Sequence, residues 1–290
     1  MHDQAEKLRI RMRRYAEKKE AKTIAFISGK GGVGKSNLSL NFSIALAKLE
    51  KKVLLIDMDI GMGNIDVLAG IQPEKNVAHF FTENETLERI IEKGPENLSF
   101  IAGGNGLTEF VKLNEARMND FLREIRLLTY DYDFFIFDFG AGMDEEVVKF
   151  LATIDSVFVV VTPDPTSIMD AYSAMKYLLI YNRDTNLYLV GNRMKNSKEN
   201  ETVLSRINQA LKIFLQKEGI PLGFIPEDSA VSKSVLKQSP FLVAKPYSNA
   251  SRQMQLLAKT YLEQIKMAPI NKEKPARFLE HLKSFISVKR

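Results

Sequence analysis

The sequence predicts an α/β protein with a doubly wound, mostly parallel sheet and helices on both faces. Short apolar runs rich in β-forming residues alternate with amphipathic stretches, and a glycine-rich segment follows the first run directly. Strands of a parallel sheet that is covered on both faces are nearly continuous hydrophobic runs, as these are. With 290 residues and 45% apolar content, the chain can bury a core of this size.

The predicted strands are, in chain order, Thr23–Ser28, Val53–Asp57, Leu98–Ala102, Phe134–Asp138, Ser156–Thr162, Leu187–Asn192 and Leu222–Ile225. We expect residues 23–265 to form this domain, residues 1–22 to be a separate N-terminal segment, and residues 266–290 to be a linker with a C-terminal amphipathic helix. Ligand-binding residues are expected at the carboxyl ends of the strands, where open α/β sheets bind ligands.

Composition and charge exclude several classes of protein. The absence of cysteine rules out disulfides and iron–sulfur clusters, and three histidines make a structural metal site improbable. No apolar run reaches the roughly 20 residues that span a bilayer and the start lacks a signal-peptide pattern, so we expect a cytoplasmic protein. Residues 1–22 and 271–290 each carry a net charge of +4 and the rest of the chain −3. The basic tails are therefore expected either to meet a partner or anionic surface or to be solvated.

The segment GKGGVGKS after the first strand fits the P-loop pattern G-x-x-x-x-G-K-[ST] and opens an amphipathic run. In such a loop backbone amides surround phosphate oxygens, the lysine reaches the β and γ phosphates, and the serine ligates Mg²⁺. An ordinary glycine-rich turn is the alternative, but the strand–loop–helix context disfavours it. The sequence thus predicts an ATP and Mg²⁺ site at Gly29, Lys30, Gly31, Gly32, Val33, Gly34, Lys35, Ser36 and Asn37.

Lys30, in the run KGGVGK, resembles the signature lysine of the deviant Walker A family of ATPases, which includes MinD and ParA. In that family this lysine reaches across a dimer interface. The resemblance implies that Lys30 contacts the partner subunit's nucleotide phosphates and that two subunits close face to face on two ATP molecules. A solvated loop cation is the alternative interpretation of Lys30 alone.

The acidic strand ends are the predicted catalytic and metal-binding groups. Asp57 and Asp59 lie in a segment similar to the D-x-D-x-G segment of MinD. Asp59 is expected to orient the attacking water, and Asp57 to support either the Mg²⁺ shell or the loop, although both could instead form caps or turns. Asp138 closes the run FFIFD as a Walker B carboxylate does, which predicts outer-sphere binding of Mg²⁺. The turn at residues 140–142 is expected to sense the γ-phosphate.

Two later segments resemble the adenine pocket of the family. Asn192 and Arg193 end one strand, and Pro226 and Asp228 follow another. The amide of Asn192 suits adenine N6 and N7, and Pro226 is expected to pack on the ring. Asp228 could instead cap the helix that begins near Ser229. The guanine-reading N-K-x-D pattern is missing, which favours ATP over GTP.

The opening DQAEKLR resembles the D-Q-A-x-x-L-R element of the FlhG (YlxH) family, the MinD/ParA-type regulators of flagellar number. The resemblance implies that residues 1–22 bind and stimulate FlhF, a GTPase of the signal-recognition-particle type. Gln4 is then the activating residue, and Leu8 and Arg9 are contact residues. Flagellar basal-body (C-ring) proteins are further candidate partners. A frayed, charged lead-in helix is the alternative.

An apolar stripe with helical spacing lies near the other end of the chain, with basic residues off it, at Phe278, Leu279, Leu282, Phe285 and Ile286. A short basic amphipathic helix can lie in the headgroup region of an anionic membrane, and MinD-type proteins use such a helix. The sequence predicts reversible membrane association, with docking on the protein's own body as the alternative.

These features together predict an ATP-hydrolysing switch that regulates flagellar number or placement. A ParA-type DNA-partition ATPase and a MinD-type cell-division-site ATPase are the alternatives. The negative balance of the core disfavours DNA binding, so no specific nucleic-acid partner is expected. An enzyme of metabolism would need substrate residues or cysteines that the sequence lacks.

Overall fold

The computed structural model describes residues 12–13, 20–59, 63–83, 85–103, 115–140, 142–267, 278 and 281–282. Its strands form one eight-stranded sheet in the order β3-β4-β2-β5-β1-β6-β7-β8. Their bounds are β1 Lys22–Ile27, β2 Val53–Asp57, β3 Glu92–Lys93, β4 Ser99–Ile101, β5 Phe134–Asp138, β6 Ser156–Val161, β7 Leu187–Met194 and β8 Ile220–Pro226.

The helices of the described residues are α1 Lys35–Lys48, α2 Ile65–Ala69, α3 Val77–Thr82, α4 Leu87–Ile90, α5 Glu115–Leu128, α6 Glu145–Leu151, α7 Pro165–Tyr181, α8 Ser197–Leu215, α9 Ser229–Leu236, α10 Phe241–Ala244 and α11 Asn249–Met267. One 3₁₀ turn covers Pro95–Asn97. None of these helices is long and apolar enough to cross a membrane.

The predicted fold class is confirmed. All seven predicted strands are present and pair in parallel. The eighth strand, β3, was not predicted. It is a two-residue antiparallel strand at the edge of the sheet, and its polar residues Glu92 and Lys93 carry no hydrophobic pattern.

Alternate residues of each strand face opposite layers, which gives the domain two cores. In β1, Ala25 packs with the core that α3 to α8 cover, whereas Ile24 and Phe26 pack with the core that α1 and α11 cover. An aromatic cluster fills the centre of the second core, where the ring of Tyr261 from α11 lies 5.1 Å from that of Phe158 and its hydroxyl bonds Ser156 Oγ at 2.9 Å. The helices on both faces therefore fix the position of the sheet.

The first core also contains two residues of the predicted membrane stripe. Phe278 and Leu282 are 3% and 2% exposed. The ring of Phe278 lies 5.6 Å from that of Phe137 in β5 and 5.5 Å from that of Phe150 in α6. In this structure these two residues are docked on the body of the protein, which is the alternative considered for the stripe. Leu279, Phe285 and Ile286 lie outside the described residues.

Candidate nucleotide-binding site

Three strands bring the predicted catalytic segments together at one edge of the sheet. β1 lies between β5 and β6, and β2 pairs with the other side of β5. In this register Phe26 is opposite Asp138, and Asp57 is opposite Asp138 from the other side. The glycine-rich loop, the Asp57 loop and the Asp138 strand end therefore share the carboxyl edge, as the sequence predicts for open α/β sheets.

The loop between β1 and α1 has a backbone that depends on glycine. Gly32 and Gly34 have φ values of +76° and +90°, a left-handed conformation that side chains disfavour. Gly29 is required by packing, because a Cβ there would lie 2.0 Å from the backbone of Asp170 in α7. Gly34 is the N-cap of α1, and no side chain caps that helix. The amino terminus of α1 is thus suited to an anion.

Lys35 and Asp138 form the charged centre of the site. Lys35 Nζ lies 3.5 Å from Asp138 Oδ1, and both side chains are buried. Burial raises the pKa of Asp138, while the charge of Lys35 acts in the opposite direction. Asp138 Oδ1 has no hydrogen-bond donor among the residues that the structure describes. A buried acceptor in this state has capacity left for a further ligand.

These residues fit a magnesium ion. Ser36 supplies a hydroxyl at the first turn of α1, and Asp138 supplies a buried carboxylate whose Oδ1 lies 3.5 Å from Lys35 Nζ and accepts no hydrogen bond from the described residues. Mg²⁺ typically uses one or two protein groups of this kind and completes its shell with waters and phosphate oxygens. Ser36 and Asp138 would hold the ion, and the ion would neutralise charge on the phosphates.

Asp57 is engaged by its own loop. Its Oδ1 accepts from the amide of Asp59 at 3.0 Å, and its Oδ2 accepts from Asn64 at 3.1 Å and Ile65 at 3.4 Å. Burial, and secondarily the charge of Asp138, raises the pKa of Asp57 to about 7. Of the two roles expected for Asp57, this geometry favours support of the loop over a place in the metal shell.

Asp59 lies against the predicted switch turn. A Cβ at Gly140 would be 2.8 Å from Asp59 Oδ1, so the carboxylate approaches the turn closely. Gly142 has a φ of +137°, and Ala141 lies outside the described residues. The residue expected to orient water and the turn expected to sense phosphate are therefore in contact.

Lys30 is exposed and points to its own chain in this structure. Its Nζ donates to Thr166 Oγ1 at 3.3 Å, in the first turn of α7. Thr166 carries no motif in the sequence, so this contact could not be predicted. Lys30 lies on the same loop as Lys35, on the solvent side.

The segments predicted to form an adenine pocket reach the site in different ways. The side chains of Asn192 and Arg193 donate to carbonyls of the glycine-rich loop, at Val33 (2.7 Å) and Gly32 (3.0 Å). Asp228 caps α9 through Ala230 at 2.8 Å and also accepts from Ala250 at 3.1 Å, so the capping alternative is observed.

Pro226 is half-buried and ends β8, where it pairs with Met194 of β7. Asn37 accepts the side-chain amide of Asn41 at 2.8 Å inside α1. The predicted partner residues Gln4, Leu8 and Arg9 lie outside the described residues. The site that the structure brings together is therefore a P-loop nucleotide-binding site built on β1, β2, β5 and β7.

Comparison with known proteins agrees with this class. The chain matches the family described as an AAA domain over residues 21–209. It is 31% identical to antiactivator FleN of Pseudomonas aeruginosa over 91% of both chains. It is 36% identical to the flagellum site-determining protein YlxH of Helicobacter pylori, over 68% of this chain and 67% of that protein.

Among solved structures, the MinC:MinD cell division complex of Aquifex aeolicus is similar with a TM-score of 0.68. The identity is 26%, and the match covers 87% of this chain and 99% of that one. The chain belongs to the MinD/ParA-type family of P-loop ATPases, in the branch that contains FleN and YlxH (FlhG).

Proposed function

We propose that this protein is a Mg²⁺-dependent ATPase switch that dimerises on ATP and regulates flagellar number or placement. The observation that carries the proposal is the pairing of Lys35 with the buried Asp138 beneath a loop that also presents the exposed Lys30. Phosphoryl transfer needs positioning and charge stabilisation, which this set supplies. The flagellar role is supported by the relative YlxH, which is named as a flagellum site-determining protein.

In the proposed reaction Lys35 and the amides of the loop hold the phosphates, while Asp59 orients the attacking water. Lys30 leaves Thr166 and contacts the phosphates of the partner subunit. Asp57 keeps the loop of Asp59 in place through its three amide contacts. Asn192, Arg193, Pro226 and the end of β8 form the side of the site on which the base lies.

The test is the oligomeric state of the full chain with Mg-ADP and with Mg-ATP, by light scattering, together with phosphate release. We expect a monomer with ADP, a dimer with ATP, and release of phosphate that stops when Mg²⁺ is chelated. A monomer in both nucleotides would contradict the dimeric switch. ATP binding without phosphate release would instead indicate a nucleotide-binding scaffold.

We also propose that residues 277–290 bind an anionic membrane reversibly. Phe278 is buried against β5 and α6 and Leu282 is buried in the same core, so membrane binding requires this segment to leave the body. Two weak anchors in one dimer gain effective concentration, which makes binding stronger in the ATP state.

The membrane proposal is tested by sedimentation with phosphatidylglycerol vesicles. Deletion of residues 277–290, or Phe285→Glu, should abolish sedimentation while ATP binding persists. Phe214→Glu is the matched control, because Phe214 is 72% exposed on α8 and the substitution changes the charge equally. Equal sedimentation of the ADP and ATP forms would contradict the coupling to nucleotide.

The third proposal is that residues 1–22 stimulate a GTPase of the FlhF type. The segment has eight basic and four acidic residues and few large apolar groups, which a partner surface could bury. A peptide of residues 1–22 should stimulate GTP hydrolysis by itself. Gln4→Ala should lose most stimulation and keep much of the binding, whereas Leu8→Ala should lose both. If the Gln4→Ala protein stimulates the GTPase as well as wild type does, the catalytic role of Gln4 is wrong and the segment is at most a tether.

A further inference from the structure

The carbonyl groups of the glycine-rich loop are held from outside by three side-chain donors. Ser28 Oγ donates to the carbonyl of Lys30 at 2.8 Å. Arg193 donates to the carbonyl of Gly32 at 3.0 Å, and Asn192 Nδ2 donates to that of Val33 at 2.7 Å. We call Ser28, Asn192 and Arg193 the outer clasp. One member comes from the end of β1 and two from the end of β7.

The amides that follow these carbonyls have no partner among the described residues. In a planar trans peptide the C=O of one residue and the N–H of the next point in opposite directions. Carbonyls that are held outward therefore turn the N–H groups of Gly31, Val33 and Gly34 the other way. None of these three amides makes a hydrogen bond to any residue that the structure describes. Successive unpaired amides of this kind form an anion-binding concavity.

The surroundings of the clasp show that its geometry is constrained. Asn192 is 6% exposed, and a Cβ on Gly34 would lie 2.5 Å from its Nδ2. Arg193 has a φ of +56°, a strained left-handed conformation for a residue with a side chain. Ser28 is 3% exposed. The strained backbone therefore belongs to Arg193, the residue whose guanidinium donates to the carbonyl of Gly32.

We propose that the outer clasp sets the phosphate affinity of this protein by fixing three peptide planes of the P-loop with their amides toward the phosphates. Asn192 and Arg193 are then positioning residues for the phosphate chain, in addition to any contact that they make with the base. The inference rests on the proposed ATP-binding function. It predicts that loss of a clasp donor weakens binding of every ligand that carries the phosphate chain, whatever the base.

The test compares three ligands on the full-length protein: Mg-tripolyphosphate, which has no base, Mg-ATP and Mg-ITP. Asn192→Ala and Ser28→Ala remove a neutral donor without changing charge. We expect roughly 10-fold weaker binding of all three ligands. This corresponds to about 1.4 kcal/mol, which is within the range for one net hydrogen bond. The ratio of ATP to ITP affinity should stay within about 2-fold of wild type, because a tenfold effect common to both cancels in the ratio.

Asn186→Ala is the matched control. Its side-chain amide also donates to a backbone carbonyl, that of Asp155 at 2.9 Å, but it is exposed and lies before β7, at the opposite edge of the sheet. This variant should bind all three ligands like wild type. Melting of the nucleotide-free variants shows whether they fold. Ser28→Ala removes a second donor, which is buried and therefore not accessible to the base.

The outcomes separate the inference from the function on which it rests. If wild type binds neither Mg-ATP nor tripolyphosphate, the proposed function fails. If wild type binds both, and folded Asn192→Ala and Ser28→Ala bind tripolyphosphate with unchanged affinity, the clasp is refuted. If Asn192→Ala loses the preference for ATP over ITP and binds tripolyphosphate with unchanged affinity, Asn192 contacts only the base and the clasp is refuted. Parallel loss for tripolyphosphate and ATP in both variants supports the clasp.

Discussion

Replacing Phe278 with alanine is expected to detach the C-terminal segment from the body of the protein. The ring is 3% exposed and packs against the rings of Phe137 and Phe150, at 5.6 and 5.5 Å. Removal of a core phenylalanine ring costs about 3–5 kcal/mol. Leu282 remains, and its burial contributes about 1.5–3 kcal/mol. Ordering the backbone costs about 1–2 kcal/mol per residue, so Leu282 alone does not hold the segment.

The magnitude follows from the same comparison. A loss of about 3 kcal/mol changes the ratio of docked to detached segment by more than 100-fold. Global stability should fall by less than the full cost of the ring, because a terminal segment can detach while the rest of the domain stays folded. The variant should therefore keep most of its melting temperature and lose protection of the segment.

Limited proteolysis with trypsin measures this protection. Cleavage after Lys283 should accelerate by about 100-fold or more in Phe278→Ala, following the change in the detached population. Phe214→Ala is the control, since it removes a phenylalanine ring that is 72% exposed. Cleavage at the wild-type rate in Phe278→Ala would refute the conclusion that Phe278 anchors the segment.

Three further predictions concern the nucleotide site. Asp59→Ala should bind ATP, hydrolyse it very slowly and accumulate as a dimer, because Lys35 still holds the phosphates; wild-type phosphate release would contradict this role. Lys30→Ala should bind nucleotide and stay monomeric in light scattering, since its proposed contact is made only across the interface, and an ATP-loaded dimer would count against it. Burial raises the pKa of Asp57 to about 7, from an ordinary value of 3.8, so the folded state holds this proton to higher pH than the unfolded state does. Nucleotide-free protein should therefore lose stability as pH rises from about 4 to 7, and urea unfolding of Asp57→Asn should show a shallower pH slope; an identical slope would show that Asp57 does not titrate in this range.

The strands of this fold were predictable because parallel strands that are buried on both sides must be hydrophobic along their whole length. β3 could not be predicted, because Glu92 and Lys93 become a strand only through pairing with the edge of β4. The order of strands was also beyond the sequence, although it decides that Asp57 and Asp138 face each other.

The candidate site shows the same division. The phosphate loop was predictable from the segment GKGGVGKS, because its chemistry is local and needs residues at fixed spacing. Asn192 was not recognisable as a loop-holding residue, since it is 159 positions from the carbonyl that it contacts. The terminal stripe remained ambiguous for a physical reason: a protein core and a lipid headgroup layer both select one apolar helix face.

The strand β5 contacts both the phosphate loop and the docked residue Phe278. Phe137 faces the core that receives Phe278, and the next residue, Asp138, faces Lys35 at the phosphate loop. Phe139 then packs on Phe150, whose ring also contacts Phe278. Nucleotide can change the docking of the C-terminal segment only if it binds the docked and detached states with different affinity. The end of β5 is the element through which the described residues can supply that difference, because Phe137 contacts Phe278 and Asp138 pairs with Lys35.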